Sequence, residues 1–245
     1  MEISLAAEPL FHIGSFPVTN TLIMSWFVIT VLVYFSIGVT RRLREIPTGF
    51  QNVVEWVIEW LLNLIDSVTG NRVESKKFLP LIATIFLFVI FSNWIELMPG
   101  LGTVGLKEVH EGKTIIVPFI RSASADLNVT LAIALVSVIS IQVFGIASIG
   151  VAKHFKKFIN FSGPVNFYVG ILELISEVSK MISFSFRLFG NIFAGEVLLI
   201  VMLTLAPYVV PIPFLFLELF VGFVQALVFA MLTLVFLKAA TVEAH

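Results

Sequence analysis

The fold of this chain is decided by residues 164–206, which read PVNFYVGILELISEVSKMISFSFRLFGNIFAGEVLLIVMLTLA. The segment contains no proline after Pro164, and its apolar residues recur with the period of a helix. It predicts one helix of ~40 residues, about 60 Å long at about 1.5 Å per residue. The hydrocarbon core of a bilayer is only ~30 Å thick, so in a membrane this helix must be steeply tilted or partly interfacial.

The composition of the whole chain indicates a membrane protein. Of its 245 residues, 58% are hydrophobic and 13% are charged, whereas charged residues make up ~25% of a globular protein. So few charges cannot cover the apolar surface of a soluble fold. The net charge of −1 does not suggest a nucleic-acid partner. The absence of cysteine excludes disulfides and thiolate sites.

The apolar segments predict an all-α integral membrane protein with five membrane-crossing helices and a single membrane domain over residues 1–245. No Lys or Arg precedes the first apolar run, so that run is predicted to be a retained span and not a signal peptide. The predicted segments are an outer N-terminal tail (1–20), span 1 (21–39), an interfacial helix (48–69), span 2 (79–97), span 3 (126–151), the long tilted helix (164–206) and the final helix (212–240).

Residues 48–69 differ from the other predicted helices because Glu55, Glu59 and Asp66 interrupt a strong apolar face. We interpret them as an amphipathic helix on the inner membrane surface, the alternative being a helix of a soluble bundle. Basic residues follow span 1, precede span 2, follow span 3 and lie near the end of the final helix: Arg41, Arg42, Arg44, Arg72, Lys76, Lys77, Lys153, Lys156, Lys157 and Lys238. The positive-inside rule then predicts an outer N-terminus and a cytoplasmic C-terminus.

Arg187 lies well inside the long helix. An arginine at the bilayer centre costs about 2.5–3.5 kcal/mol on insertion scales, and its pKa above ~12 prevents it from becoming neutral. Snorkelling to the interface and a purely structural ion pair are the alternatives to a functional charge. Its distance from both helix ends favours the functional interpretation.

Helical geometry at about 100° per residue places a polar stripe on the same side of the helix as Arg187. The stripe consists of Glu173, Glu177, Lys180, Ser183 and Asn191. Gly190 and Ala194 also lie near Arg187, and small residues permit close approach of a partner helix in lipid. The alternative is that these small residues pack within this chain.

The carboxylates of the last two helices form two groups. Glu173 and Glu177 lie toward the inner end, whereas Glu196 and Glu218 lie toward the outer end, and Glu218 shares a helix face with Gln225. A fixed cation between two such groups lets each group exchange protons with its own side and prevents direct passage. Crossing then requires a mobile carboxylate on a partner.

Several other polar residues are weaker candidates. Asp126 could cap span 3 or belong to an outer channel with Asn128, Asn93 and Glu96. The histidines at positions 12, 110 and 154 are interpreted as loop or tail residues without metal-ligand spacing, so no metal or cofactor is predicted. The sequence also lacks a phosphate-binding loop and a Gly-x-Ser-x-Gly elbow.

Four segments together resemble subunit a of bacterial and chloroplast F-type ATP synthases. The most specific is SFSFRLFGNIFAGE at 183–196, which looks like the family signature around an essential arginine. The others are FVQALVF at 223–229, PTGFQN at 47–52 and SADLNVT at 124–130. The resemblance covers roughly residues 20 to 240.

This resemblance implies a proton-translocating stator without catalytic residues of its own, in which Arg187 faces a mobile carboxylate on a rotating ring of c subunits. It implies that Ser183, Asn191, Glu196, Glu218 and Gln225 take part in proton translocation, and that the last two helices are tilted beside the ring. A b-type peripheral stalk and the remaining ATP synthase are the implied partners. Glutamate at both 196 and 218 departs from the family's glutamate–histidine alternation.

The implied ion is H+ and not Na+, although sodium-using relatives share the arginine. The implied location is a bacterial plasma membrane, with a thylakoid membrane as the alternative. A self-contained secondary transporter or ion channel is the competing interpretation. An intramembrane enzyme is disfavoured, since the sequence shows no Ser/His, Asp/Asp or metal-ligand constellation at matching depth.

Overall fold

A computed structural model describes residues 8–14, 16–41, 43–46, 49–98, 105–110, 113–118, 121–158 and 163–241. Its helices are α1 (Asn20–Thr40), α2 (Phe50–Thr69), α3 (Arg72–Glu96), α4 (Leu127–Ile149), α5 (Val151–Phe158), α6 (Pro164–Leu205) and α7 (Pro211–Thr241). Five of them, α1, α3, α4, α6 and α7, are long and apolar enough to cross a membrane. The predicted all-α membrane class with five crossing helices and an amphipathic α2 is confirmed.

The start of α3 differs from the prediction. Arg72, Lys76 and Lys77, which the sequence places before span 2, belong to the first turns of this helix. The helix begins early because the Asn71 side chain accepts a hydrogen bond from the Val73 amide and caps it. Pro80 lies inside the helix, where it removes one backbone donor without ending the helix.

Span 3 is predicted to reach residue 151, and α4 ends two residues earlier, at Ile149. Gly150 has φ of 85°, ends α4 and is followed by the short helix α5. The prediction that His154 lies in a loop is therefore wrong, since His154 is a buried residue of α5. His12 and His110 also lie in strands instead of irregular segments.

Two β-hairpins were not predicted. Strands β1 (Pro9–Ile13) and β2 (Phe16–Thr19) pair in the N-terminal tail, and β3 (Gly105–His110) pairs with β4 (Lys113–Pro118) between α3 and α4. Both pairs are antiparallel. We call the end of the bundle that carries them the hairpin end, and the opposite end, where α7 finishes near Lys238, the basic end.

The core lies among α3, α4, α6 and α7, with α2 packed on α3. Its most enclosed side chains include Ile82, Val89, Ile141, Leu188 and Leu234. At the basic end, Lys238 of α7 forms an ion pair with Glu74 of α3. Arg72 pairs there with Asp66 of α2.

Polar contacts join the helices at the hairpin end. Thr21 of α1 donates to Asp126, 2.7 Å away. The Trp94 indole of α3 donates to the carbonyl of Leu219 at 3.0 Å. Hydrogen bonds between membrane helices contribute about 0.6 kcal/mol on average, so these contacts align helices whose association depends mainly on packing.

Gly170 permits a close approach between α6 and α5. A Cβ at this position would lie 2.2 Å from the carbonyl oxygen of Phe158, a backbone atom that cannot move aside cheaply. We expect Gly170→Ala to lower stability by about 1–3 kcal/mol through overpacking. Thermal unfolding of the purified chain in mild detergent measures the change.

Gly38→Ala is the matched control, because a Cβ at Gly38 of α1 would meet no atom within 4 Å. Removing a helical glycine there should stabilise the chain by up to ~1 kcal/mol. Equal behaviour of the two variants would contradict the close approach at Gly170.

Candidate functional site

Arg187 lies on the side of α6 that faces away from the core. Leu188 and Phe184 beside it are 1% and 3% exposed and anchor the helix on its inner side. The guanidinium itself is exposed, and its Nη2 donates to Ser183 Oγ over 3.3 Å. Asn191 Nδ2 donates to the Arg187 carbonyl at 2.9 Å. Two polar side chains one turn away on either side therefore accompany the cation.

The surface around Arg187 is flat and open. Ser183, Arg187, Gly190, Asn191 and Ala194 are all exposed, and we call this surface the arginine face. A Cβ at Gly190 would meet nothing within 4 Å. Within the described residues, Ser183 is the only hydrogen-bond acceptor for the guanidinium. The chain thus presents a permanent cation, near the middle of its 42-residue helix, to whatever lies beside it.

Glu196 points the other way, into a cluster of ionisable groups near the hairpin end. Its Oε2 accepts from Arg121 Nη2 at 3.1 Å and from Arg121 Nε at 3.3 Å. Arg121 is only 6% exposed. Glu218 of α7 and Glu96 of α3 complete what we call the acidic cluster, because Glu96 interacts electrostatically with all three other side chains.

The acidic cluster is closely packed. A Cβ at Gly195 would lie 3.1 Å from Glu218 Oε1, so glycine gives the carboxylate room beside α6. Glu218 is 8% exposed. The Ser122 backbone amide hydrogen-bonds to Glu96. Three carboxylates thus share one arginine in a largely enclosed site, an arrangement stable only if protons or further donors satisfy the remaining charge.

Sequence reasoning placed Glu96, Glu196 and Glu218 near one end of the helices, as the structure does, but did not single out Arg121. No local pattern pointed to Arg121, because the three carboxylates that it serves come from other parts of the chain. Arg121 stands five positions before Asp126, at the edge of the SADLNVT segment.

Buried polar atoms without a protein partner surround the acidic cluster. Among the described residues they include Ser92 Oγ, Asn93 Oδ1, Ser124 Oγ and Glu218 Oε2. Buried polar atoms of this kind are satisfied by ordered water, which bridges two to four groups. The region around the acidic cluster therefore offers polar groups that could bind water.

The other hairpin-end candidates make structural contacts. Asp126 caps α4 by accepting from the Asn128 amide at 2.8 Å, so the capping alternative is observed. Asn128 itself is exposed. Asn93 Nδ2 donates to the Gly222 carbonyl at 3.1 Å. Gln225 is half-buried on α7, two turns beyond Glu218.

A second polar region lies at the basic end. Glu177 and Lys180 form an ion pair of 2.7 Å, and Lys180 Nζ also lies 4.7 Å from the centre of the Phe236 ring. With Glu173 they border a cavity of about 60 Å³, room for a few water molecules. The three predicted inner residues are thus brought together, away from Glu196 and Glu218.

Sequence reasoning missed three further residues of this cavity, Gln142, His154 and Lys157. His154 is 3% exposed, and its Nε2 lies 2.7 Å from Gln142 Oε1. Burial lowers the pKa of His154 below 6.5, and the nearby Lys157 ammonium lowers it further, while Glu177 opposes both. The ring is therefore neutral near pH 7.

No group of three His, Cys, Asp or Glu side chains suited to a metal ion occurs in the described part of the chain. The polar chemistry available is proton exchange and charge pairing, divided between the two ends of the bundle. Arg187 lies between these ends on α6.

Comparison with known proteins gives one consistent family. The family model described as ATP synthase A chain matches residues 22–238. The chain is 35% identical over 223 residues to "ATP synthase subunit a 1" of Pelobacter propionicus, covering 90% of this chain and 87% of that one. It is 32% identical over 245 residues to "ATP synthase subunit a" of Trichlorobacter lovleyi, covering 99% and 96%. Matched over nearly its whole length, the chain belongs to the ATP synthase A chain family.

Proposed function

We propose that this chain is the proton-translocating stator subunit of a rotary F-type ATP synthase, a non-catalytic subunit that exchanges protons with a ring of c subunits. The observation that carries the proposal is the arginine face, where an exposed guanidinium lies among small residues in the middle of a membrane-crossing helix. An unpaired cation cannot face lipid cheaply. A carboxylate on an adjacent helix is the partner whose chemistry fits.

The two polar regions supply the routes to and from that carboxylate. The acidic cluster, together with Asn93, Asp126, Asn128 and Gln225, forms the half-channel of the hairpin end. Glu173, Glu177 and Lys180 border the half-channel of the basic end. Since the two regions lie at opposite ends, a proton that leaves one cannot reach the other without the ring.

The cycle of proton transport follows from the charge of the ring carboxylate at each position. A ring carboxylate is ionised while it lies beside Arg187, where attraction at 4 Å and an effective dielectric of ~20 is worth about 4 kcal/mol. To move into lipid it must first be neutralised, which requires a proton from the acidic cluster. After nearly a full turn it releases that proton into the basic-end cavity and returns to the arginine. Ser183 and Asn191 hold the guanidinium in place.

The same proposal gives the orientation of the chain in the membrane, the tilt of its last two helices, its stalk partner and the translocated ion. The basic end is cytoplasmic by the positive-inside rule, which places the hairpin end outside a bacterial plasma membrane. The last two helices tilt along the ring, and a b-type stalk holds the subunit against rotation. The translocated ion is the proton.

Cross-linking tests the partner directly, because the chain contains no cysteine. In the assembled synthase, Asn191→Cys is expected to form a disulfide with a cysteine placed one turn from the ring carboxylate. Tyr34→Cys on α1, 73% exposed but away from the arginine face, is the matched control and should remain unlinked. Equal yields, or none at Asn191, would contradict the proposed contact.

A further inference from the structure

The short helix α5 forms one wall of the basic-end cavity, and two glycines make this possible. A Cβ at Gly145 of α4 would lie 2.9 Å from His154 Cε1, and a Cβ at Gly170 of α6 would lie 2.2 Å from the Phe158 carbonyl. Glycine at both contacts lets α5 sit tightly between its neighbours. The imidazole of His154 is thus held in a defined position.

The hydrogen bonding of His154 distinguishes its two nitrogens. The oxygen of Gln142 can only accept, so Nε2 carries the hydrogen and donates across the 2.7 Å contact. The other nitrogen, Nδ1, is buried and has no hydrogen-bond partner in the described chain. A neutral imidazole in this state has one free lone pair, which makes Nδ1 a proton acceptor.

We infer that His154 is a proton-relay residue of the basic-end half-channel, which rests on the function proposed above. The ring borders the cavity, while its Nδ1 is buried beside Gly145. When cavity water reaches Nδ1, a hydronium ion gives its proton to this nitrogen, leaving water and an imidazolium. The imidazolium then returns that proton to water on the cytoplasmic side, restoring the neutral ring. Gln142 keeps its bond to Nε2–H in both states, so the ring does not need to rotate.

The charged surroundings suit this task. Among the described residues, the titratable groups that border the cavity with His154 are Lys157 of α5 and Glu173, Glu177 and Lys180 of α6, of which Lys157 and Glu177 act on the ring. The remaining wall is uncharged, formed by Gln142 of α4 and by Phe236, Ala239 and Ala240 of α7. Burial and Lys157 favour proton release, whereas Glu177 favours uptake. On balance the pKa of the ring is lowered, so the neutral form prevails at pH 7 and an acquired proton is readily released.

The pKa also predicts how stability depends on pH. Because the pKa of the folded ring is lowered below 6.5, the stabilisation by its neutral form is fully present above pH 6.5. It is lost as the pH falls through the folded pKa.

His154→Gln is the central test, because glutamine can donate to Gln142 but cannot exchange protons at neutral pH. We expect passive proton flux through the assembled membrane sector, stripped of its catalytic sector, to fall about tenfold. This is less than the roughly 10²–10⁴ typical of acid–base catalysis, because cavity water offers a parallel route. The dependence of the flux on cytoplasmic pH should flatten below pH 6.5, because the pKa of the His154 ring is lowered from that value.

Gln142→Leu is the second variant. It keeps the imidazole but removes the acceptor of Nε2–H, which disfavours the imidazolium, so the pH profile should shift toward lower pH and not flatten. His12→Gln, on the N-terminal hairpin, is the matched control and should leave flux unchanged. Co-purification with the ring measures assembly of each variant.

Normal flux in a fully assembled His154→Gln synthase would overturn the relay. So would reduced flux with an unaltered pH profile, which indicates only a packing role. These outcomes differ from a failure of the proposed function, which would show instead as normal proton-driven ATP synthesis after loss of Arg187.

Discussion

Proton-driven ATP synthesis is expected to fall about a thousandfold in the Arg187→Ala variant. The guanidinium is the only fixed charge on the arginine face, and its attraction for a ring carboxylate is worth about 4 kcal/mol. Losing that amount corresponds to nearly three orders of magnitude in rate. ATP synthesis in vesicles with an imposed proton gradient, with ring assembly checked on the same preparation, measures the loss.

Two further variants show whether the loss of ATP synthesis in Arg187→Ala is due to the missing charge. Arg187→Lys keeps a charge but loses the planar donor array that reaches Ser183, so we expect activity between wild type and alanine. Arg41→Ala, an exposed arginine at the end of α1, is the matched control and should behave as wild type. Normal synthesis without Arg187 would refute the stator mechanism, whatever the chain's family.

The second large effect is expected at Glu218. Replacement by glutamine preserves shape but removes proton exchange from the acidic cluster, so proton uptake from the hairpin-end side should slow about tenfold or more. The ATP synthesis rate at several pH values on that side measures the change. It should respond less steeply to external pH than the wild type.

Glu218 is a better choice for this test than Glu196. Removing the charge of Glu196 also breaks its ion pair with the buried Arg121, so the effect on transport could not be separated from an effect on assembly. Glu59→Gln is the control, because this carboxylate is 71% exposed on α2, far from the cluster. Wild-type uptake in an assembled Glu218→Gln synthase would remove Glu218 from the pathway.

The apolar segments of the sequence were enough to predict the helices. No local sequence pattern was enough to predict which polar residues meet in the acidic cluster and the basic-end cavity. Apolar runs of bilayer length give each crossing helix by itself, and an arginine in mid-span is conspicuous in any sequence. The pairing of Arg121 with Glu196 joins residues 75 positions apart, and nothing in either neighbourhood specifies the other. The structure was needed to show that one loop cation serves three carboxylates.

His154 illustrates a different limit. Its neighbours Lys153, Lys156 and Lys157 made the segment look like a solvated loop. The glycines that allow α5 to pack closely lie on α4 and α6. Because glycine has no side chain, these contacts leave no pattern in the sequence around His154. The β-hairpins were missed for a related reason, since short strands next to long apolar helices give a weak alternation.

The contact between Thr21 and Asp126 constrains how the subunit is made. The two residues are 105 positions apart, so α1 enters the bilayer during synthesis long before its polar partner leaves the ribosome. Until then only packing, including that on α3, can hold α1, whose apolar exterior tolerates lipid. The polar contact of the first helix is therefore made late in biogenesis, and a nascent chain released before residue 126 would contain an inserted α1 without it.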